Sequence, residues 1–279
     1  MKTILVPTDF SEKANDALAF ALEFCDKING RIILMHVLDF PSSSFKTTGG
    51  VDSSEAENFY KGEFIKGVHN RLNDLKASLE GNQPIETKIK YGHPFVSISK
   101  EIAEENVNYI IMGSDGASGL EEVFIGSVAE KVIRNADCPV ITVKGPATLG
   151  GMKSFVFASD LTAEQDIIAQ KAKEIQELLD LNMHLLKVKT PHNFLSEKDA
   201  QEQLEAFAKR NYLDRLTKNT IEADYSDEGI VAFAEKVGAG MIVMGTHGKT
   251  GLAHIFGGSR AEDVANESKI PVMTFKINL

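Results

Sequence analysis

A fifteen-residue stretch occurs twice in this chain. GSDGASGLEEVFIGS at 113–127 and GTHGKTGLAHIFGGS at 245–259 each follow an apolar run, NYIIM and GMIVM. The match runs without a gap at an offset of 132, from Gly113 over Gly245 through Gly126 over Gly258 to Pro139 over Pro271. Near the start of each half ILVPTD at 4–9 stands over FVFASD at 155–160, and Val37 over Val188, at an offset of 151. Within 279 residues, a repeat of this length predicts two copies of one domain, each large enough for its own core.

The two offsets differ by 19, so the first half carries 19 extra residues between Val37 and Gly113. DFPSSSFKTTGGVDSSEAENFYKGEF at 39–64 is rich in Ser, Thr and Gly and has no hydrophobic period, which predicts a long surface loop there. KGPATLGGMK at 144–153 reads as the linker. The domains are accordingly set at 1–146 and 147–279.

Each half reads as five strands alternating with four helices. The strand candidates are TILVP, RIILMHV, IETKIKY, NYIIMG and PVITVK, then KSFVFA, MHLLKV, TIEADY, MIVMG and PVMTFK. Most are short apolar runs of the sort buried on both faces of a parallel sheet. The segment from Ser11 to Ile28 places Ala14, Ala17, Leu18, Ala21, Leu22, Cys25 and Ile28 at helical spacing, with Ser11 as N-cap and Glu12 in an acidic first turn. The fold class is α/β: two tandem doubly wound domains, each a five-stranded, mostly parallel sheet with helices on both faces. Such sheets take ligands at the carboxyl ends of their strands.

A strand that ends in Gly and returns to a helix N-terminus offers backbone N–H groups to an anion, and Gly lets a phosphate approach closely. Neither common nucleotide fingerprint fits. A Walker A loop needs Gly where Val243 stands, so the GKT at 248–250 is incidental, and G-x-G-x-x-G is missing. What recurs is G-x2-G-x9-G-S: Gly113, Gly116, Gly126 and Ser127, then Gly245, Gly248, Gly258 and Ser259.

With these loops, ILVPTD at the first strand, HV at 36–37, the MG that opens each loop and CPV at 138–140, the chain resembles the universal stress protein family, as two tandem domains over nearly its whole length. The resemblance implies binding of an adenine nucleotide, ATP with or without Mg²⁺, and a role as a stress-response regulator or sensor. It implies that adenosine is held by Pro7, Thr8, Asp9 and Val37, and by Ser159, Asp160 and Val188. The glycines and serines of the two loops would hold phosphates. It also implies that the final strands, PVITVK and PVMTFK, pair about a pseudo-twofold axis within the chain; association into a homodimer is left open.

The copies differ in charge. Loop 113–127 holds Asp115, Glu121 and Glu122 and no Lys or Arg, whereas 245–260 holds Lys249 and Arg260 and no acid, beside His247 and His254. The second loop is therefore the favoured triphosphate site, with His247, Lys249 and Arg260 added to its ligand set. The first half keeps the family-like VPTD where the second has FASD.

A formal charge of -10 argues against nucleic acid and anionic membranes as partners, and no apolar stretch reaches the length of a membrane span. MKTILVPTDF lacks the h-region of a signal peptide, so a cytoplasmic location is expected. Cys25 and Cys138 read as reduced core thiols, and the scattered histidines suggest no metal set. No catalytic constellation is visible, so no catalytic residue is assigned. Three classes stay open: an ATP-binding regulator, a slow ATPase, and a scaffold that no longer binds nucleotide.

Overall fold

The computed structural model describes residues 1–39, 53–79, 81, 83–114, 126–193, 195–247 and 260–277. The first half runs β1 (Thr3–Pro7), α1 (Glu12–Ile28), β2 (Arg31–Leu38), α2 (Ser53–Ala77), β3 (Ile85–Tyr91), α3 (Pro94–Glu104), β4 (Tyr109–Gly113), α4 (Ser127–Asn135) and β5 (Val140–Val143). The second runs β6 (Ser154–Ala158), α5 (Asp166–Leu179), β7 (Asn182–Lys189), α6 (Glu197–Arg210), β8 (Leu216–Glu222), α7 (Ser226–Val237), β9 (Met241–His247), α8 (Arg260–Glu267) and β10 (Val272–Ile277). Short 3₁₀ turns at Ala163–Gln165 and Pro191–Asn193 precede α5 and follow β7. Among the described residues, no helix is long and apolar enough to cross a membrane.

The ten strands form one sheet in the order β3-β2-β1-β4-β5-β10-β9-β6-β7-β8. Strands pair in parallel within each half, and the two halves join through the antiparallel pair β5–β10. In that pair Ile141 faces Met273, its own repeat-mate at the 132 offset, so a local twofold passes between them. Thr142 and Thr274 extend the symmetry: the Oγ1 of each donates to the opposite strand, at Val272 O (3.4 Å) and Val140 O (3.3 Å).

Alternation along each strand sends residues to two apolar layers. Ile4, Val6, Ile32, Leu34, Phe155 and Phe157 pack under α1, α2, α5 and α6, in one cluster that continues across both halves. Leu5, Ile33, Met35, Val156, Leu186 and Ile242 pack under α3, α4, α7 and α8. In α1 the Ser11 Oγ accepts from the Ala14 N–H, and Ala14, Ala17, Leu18, Ala21, Cys25 and Ile28 are buried. Phe20 and Phe24 are buried as well, which widens the contact stripe. Cys25 and Cys138 are free thiols, the first buried and the second half-buried; burial pushes Cys138 up to about 12.

Two sequence expectations need correction. The supposed loop over 39–64 is helical from Ser53 onward, because Glu55, Ala56, Glu57, Lys61 and Glu63 are good helix formers. Farther along, α2 packs on the core through Val68, Leu72 and Leu75. Residues 40–52 of the expected loop lie outside the described residues. The third strand of the second half, expected at TIEADY (220–225), starts four residues earlier as β8 and stops at Glu222. Its polar Thr217, Lys218 and Asn219 are tolerated because β8 is an edge strand, and Tyr225 already caps α7.

Helix ends lock the halves together across the β5–β10 seam. Arg134 of α4 grips the buried Glu262 of α8 through Nε (2.8 Å) and Nη2 (2.6 Å). Lys144 donates to Asn266 O at the end of α8, and its repeat-mate Lys276 donates to Asn135 O at the end of α4 (3.3 Å) and to Asp137 (2.8 Å). Each final strand thus brings a cation to the negative end of the other half's last helix.

Candidate nucleotide site

At the carboxyl end of β1 the chain makes a tight turn before α1. The Thr8 N–H donates to Met35 O (2.8 Å), carrying the β1–β2 ladder one residue past the strand. The Phe10 N–H donates to Thr8 Oγ1 (3.0 Å) and the Ser11 N–H to Asp9 Oδ1 (3.0 Å). Side-chain oxygens that accept from a backbone N–H two residues on are the usual means of holding such a turn. They hold Phe10 at φ 64°, in the left-handed region that bulky residues avoid at a cost of about 1–2 kcal/mol.

The second half rebuilds this turn from other residues. Ser159 N–H donates to Leu186 O (3.1 Å), Leu161 N–H to Ser159 Oγ (3.0 Å) and Thr162 N–H to Asp160 Oδ1 (3.2 Å), with Leu161 at φ 68°. The missing proline therefore changes nothing in the turn's hydrogen bonds. The Asp9 carboxylate sits on an exposed turn and that of Asp160 on a half-buried one, both at the ligand edge of the sheet.

Beside each turn runs the strand that opens a glycine loop, since β1 pairs with β4 and β6 with β9. In the first half Ser114 N–H donates to Val143 O (3.1 Å) and Gly126 N–H to Ser114 O (2.7 Å). The ends of the glycine loop are thereby pinned together. Gly126 is the N-cap of α4 and, having no side chain, makes no capping hydrogen bond; Ser127 is exposed on that first turn, the end of a helix that favours an anion.

Gly113 has a further duty. A Cβ there would lie 3.0 Å from the Lys13 carbonyl carbon, so a side chain in this place would press β4 against the backbone of α1's first turn. At Gly245 a Cβ would meet side chains instead, Gln165 Oε1 at 3.0 Å and Ile277 Cδ1 at 3.1 Å.

Of the residues expected at the site, Pro7, Thr8, Asp9, Val37, Gly113, Gly126 and Ser127 come from the carboxyl ends of β1, β2 and β4 and the start of α4. Ser159, Asp160, Val188, Gly245, His247 and Arg260 take the matching places on β6, β7, β9 and α8. Val37 is half-buried, whereas Val188 is buried under Gly229 of α7, where a Cβ would lie 2.8 Å from its Cγ1. Gly116, Gly248, Lys249, Gly258 and Ser259 lie outside the described residues.

One residue at this edge escaped the sequence reading. At the 151 offset His36 of the first half is replaced by Lys187. His36 Nδ1 donates to Thr8 O (2.7 Å), and its ring meets Phe10 with 4.7 Å between centroids; the Arg71 guanidinium covers the same Phe10 at 4.3 Å. Lys187 Nζ donates instead to Asp160 O (2.7 Å), while Arg210 Nη2 donates to Leu161 O (3.0 Å) and Thr162 O (3.1 Å). Burial pushes the Lys187 ammonium below the usual lysine range, Asp160 opposes that shift and Arg260 adds to it. Aligning the halves residue by residue at the strand ends is the signal that finds this exchange.

Among the described residues, no three His, Cys, Asp or Glu side chains converge as a metal site. His184 is used structurally: its Nδ1 meets Thr217 Oγ1 (2.8 Å) and its ring lies edge-on to Phe233.

Comparison with known proteins agrees with the duplication. The family model described as Universal stress protein family matches twice, over residues 1–144 and 152–276. A universal stress protein of Methanocaldococcus jannaschii is 35% identical over 153 residues, which are 51% of this chain and 94% of that protein. A universal stress protein of Synechocystis sp. is 24% identical along 99% of this chain and 100% of its own length. The crystal structure of a universal stress protein from Archaeoglobus fulgidus superposes with a TM-score of 0.71 at 23% identity, covering 99% of this chain and 98% of that one, and so shares the fold. With two matches that together span nearly the whole sequence, on a sheet built twice to one plan, this chain belongs to the universal stress protein family.

Proposed function

We propose that this chain is an adenine-nucleotide-binding stress regulator or sensor of the cytoplasm, in which ATP, with or without Mg²⁺, binds at the carboxyl edge of the sheet. The observation that carries this reading is the turn after β1 and β6. It is built twice from different residues with the same three hydrogen bonds, each time beside the strand that opens a glycine loop. Asp9 and Asp160 would hold the ribose, Val37 and Val188 the adenine side, and the loop glycines with Ser127 and Ser259 the phosphates.

The second half is the favoured triphosphate site. Its ligand edge carries Arg260, Lys187 and, in the loop, Lys249, where the first half has Val128, His36 and an acidic loop. The domains divide at 146/147, within the segment 145–151 that neither family match covers. The seam at β5–β10 lets a single chain present two sites, as a pair of one-domain copies would.

Mass spectrometry of ligand released from freshly purified protein is expected to yield an adenine nucleotide. Calorimetric titration with ATP is then expected to lose more affinity in Gly258→Ala than in Gly126→Ala. The reverse order would transfer the triphosphate site to the first half. No nucleotide bound in either assay would leave the scaffold reading.

A further inference from the structure

Lys187 is only 7% exposed, and Asp160 O is its hydrogen-bond acceptor; among the described residues no carboxylate lies within ion-pair distance of it. The contrast lies two residues further along the same strand. Lys189, equally shielded, is held by Glu197 (2.8 Å) and Glu222 (2.9 Å). An ammonium has three N–H donors, and a buried cation with one neutral acceptor is expensive to keep. The core does not need it, since β7 is already anchored there by Leu185 and Leu186. Nor does the turn need a full positive charge here, because the first half meets its turn carbonyl Thr8 O with the His36 imidazole.

The position of the amine gives its purpose. It reaches the ligand edge of the sheet at Asp160 O, the edge where Arg260 opens α8 behind β9, the neighbour of β6, and the Arg260 charge adds to the lowering of its ammonium. Two cations at one edge repel each other and are stabilised by an anion placed between them. At the equivalent places the first half has His36 and Val128, so this pairing is peculiar to the second.

We propose that Lys187 is a ligand-binding side chain that, together with Arg260, receives an anionic oxygen of the phosphate chain in the second half. This rests on the nucleotide reading above and adds to it a phosphate contact that lies outside the glycine loop. It makes the second site selective for charge: ATP should gain from Lys187, and adenosine should not.

The test uses the full chain with Asp9→Ala, so that the second site is read alone, and compares Lys187 with Lys187→Met and Lys187→Arg by calorimetry. Titrants are ATP, adenosine and inorganic tripolyphosphate. Lys187→Met is expected to weaken ATP and tripolyphosphate by about tenfold or more, with adenosine within about twofold, as for loss of a buried charge-assisted contact. Lys187→Arg should recover most of the ATP affinity. The ligand-free Met variant should melt no lower than its parent, because it removes an uncompensated buried charge.

Unchanged ATP and tripolyphosphate affinity in Lys187→Met would overturn the proposal. So would a parallel fall of ATP and adenosine with a lowered melting point, which would make Lys187 a support of the Asp160 turn only. If the parent binds neither ATP nor adenosine, the nucleotide reading fails by itself. Tripolyphosphate then still decides the role of Lys187: binding that the Met variant loses supports it, and no binding overturns it.

Discussion

The turns after β1 and β6 share their hydrogen bonds and almost nothing else. Thr8-Asp9-Phe10-Ser11 and Ser159-Asp160-Leu161-Thr162 keep the aspartate, a hydroxyl on either side of the strained residue, and its positive φ. What changed is the charge around the turn: imidazole to ammonium at 36 and 187, valine to guanidinium at 128 and 260, acids to bases in the loops. Hydroxyl and carboxylate oxygens at fixed offsets are what a turn of this shape requires, so they persist. The charges around the turn are not set by those offsets, so they could diverge between the halves while the turn persisted.

The comparison can be pressed first at the seam. Arg134 has its buried partner Glu262 across the interface, but the repeat-mates of this pair are Asn266 and Glu130, so the tie exists once and not twice. Glu262→Ala is expected to cost about 2–3 kcal/mol in chemical denaturation, because it strands a partly buried guanidinium, whereas Glu130→Ala should cost less than about 0.5 kcal/mol. Equal losses would mean that the seam is held by its strands and lysines rather than by this one pair.

A smaller difference is expected between the first loop glycines. Gly113→Ala drives a methyl into the backbone of α1 and should cost about 1–3 kcal/mol, while Gly245→Ala meets side chains able to shift and should cost less than about 1 kcal/mol. Thermal melts of the two variants would measure the gap, and an equal pair of melting points would remove the asymmetry.

The smallest effect should be equal in the two halves. Lys88 first, then Arg31, hold Glu105 at about 2; Lys189 first, then Thr220 and Gln201, hold Glu197 at about 2. Carboxylates depressed in the folded state contribute stability that is fully present above their ordinary value of 4.5 and lost as pH falls from there toward about 2. The melting point should therefore decline through that window, and Glu105→Gln or Glu197→Gln should each flatten the decline slightly and alike. A clear difference between the two variants would show that the Lys88–Glu105 and Lys189–Glu197 pairs do not contribute alike.

Much of the candidate site could be proposed from the sequence. Asp9 and Asp160 could be found because each follows an apolar strand directly, and the glycines because their spacing repeats. Lys187 was passed over because in sequence it is one polar residue at the end of an apolar run, the usual appearance of a strand leaving the core. The start of α2 was missed for the opposite reason: helix formers without an apolar stripe look like loop in sequence.

The sequence by itself determined the duplication, the doubly wound α/β class, the N-cap at Ser11 and the two aspartate turns. Each of these rests on residues close together in the chain, where strand period, capping oxygens and glycine freedom act locally. Tertiary structure alone decided that Ile141 meets its repeat-mate Met273, that Arg134 finds Glu262, that Gly113 must clear Lys13, and that Lys187 is buried against the backbone carbonyl of Asp160, with no carboxylate in ion-pair distance among the described residues. Those facts depend on which surfaces face one another across tens to more than a hundred residues, and solvent exclusion at such contacts, more than residue type, fixes what a charge or a methyl group costs there.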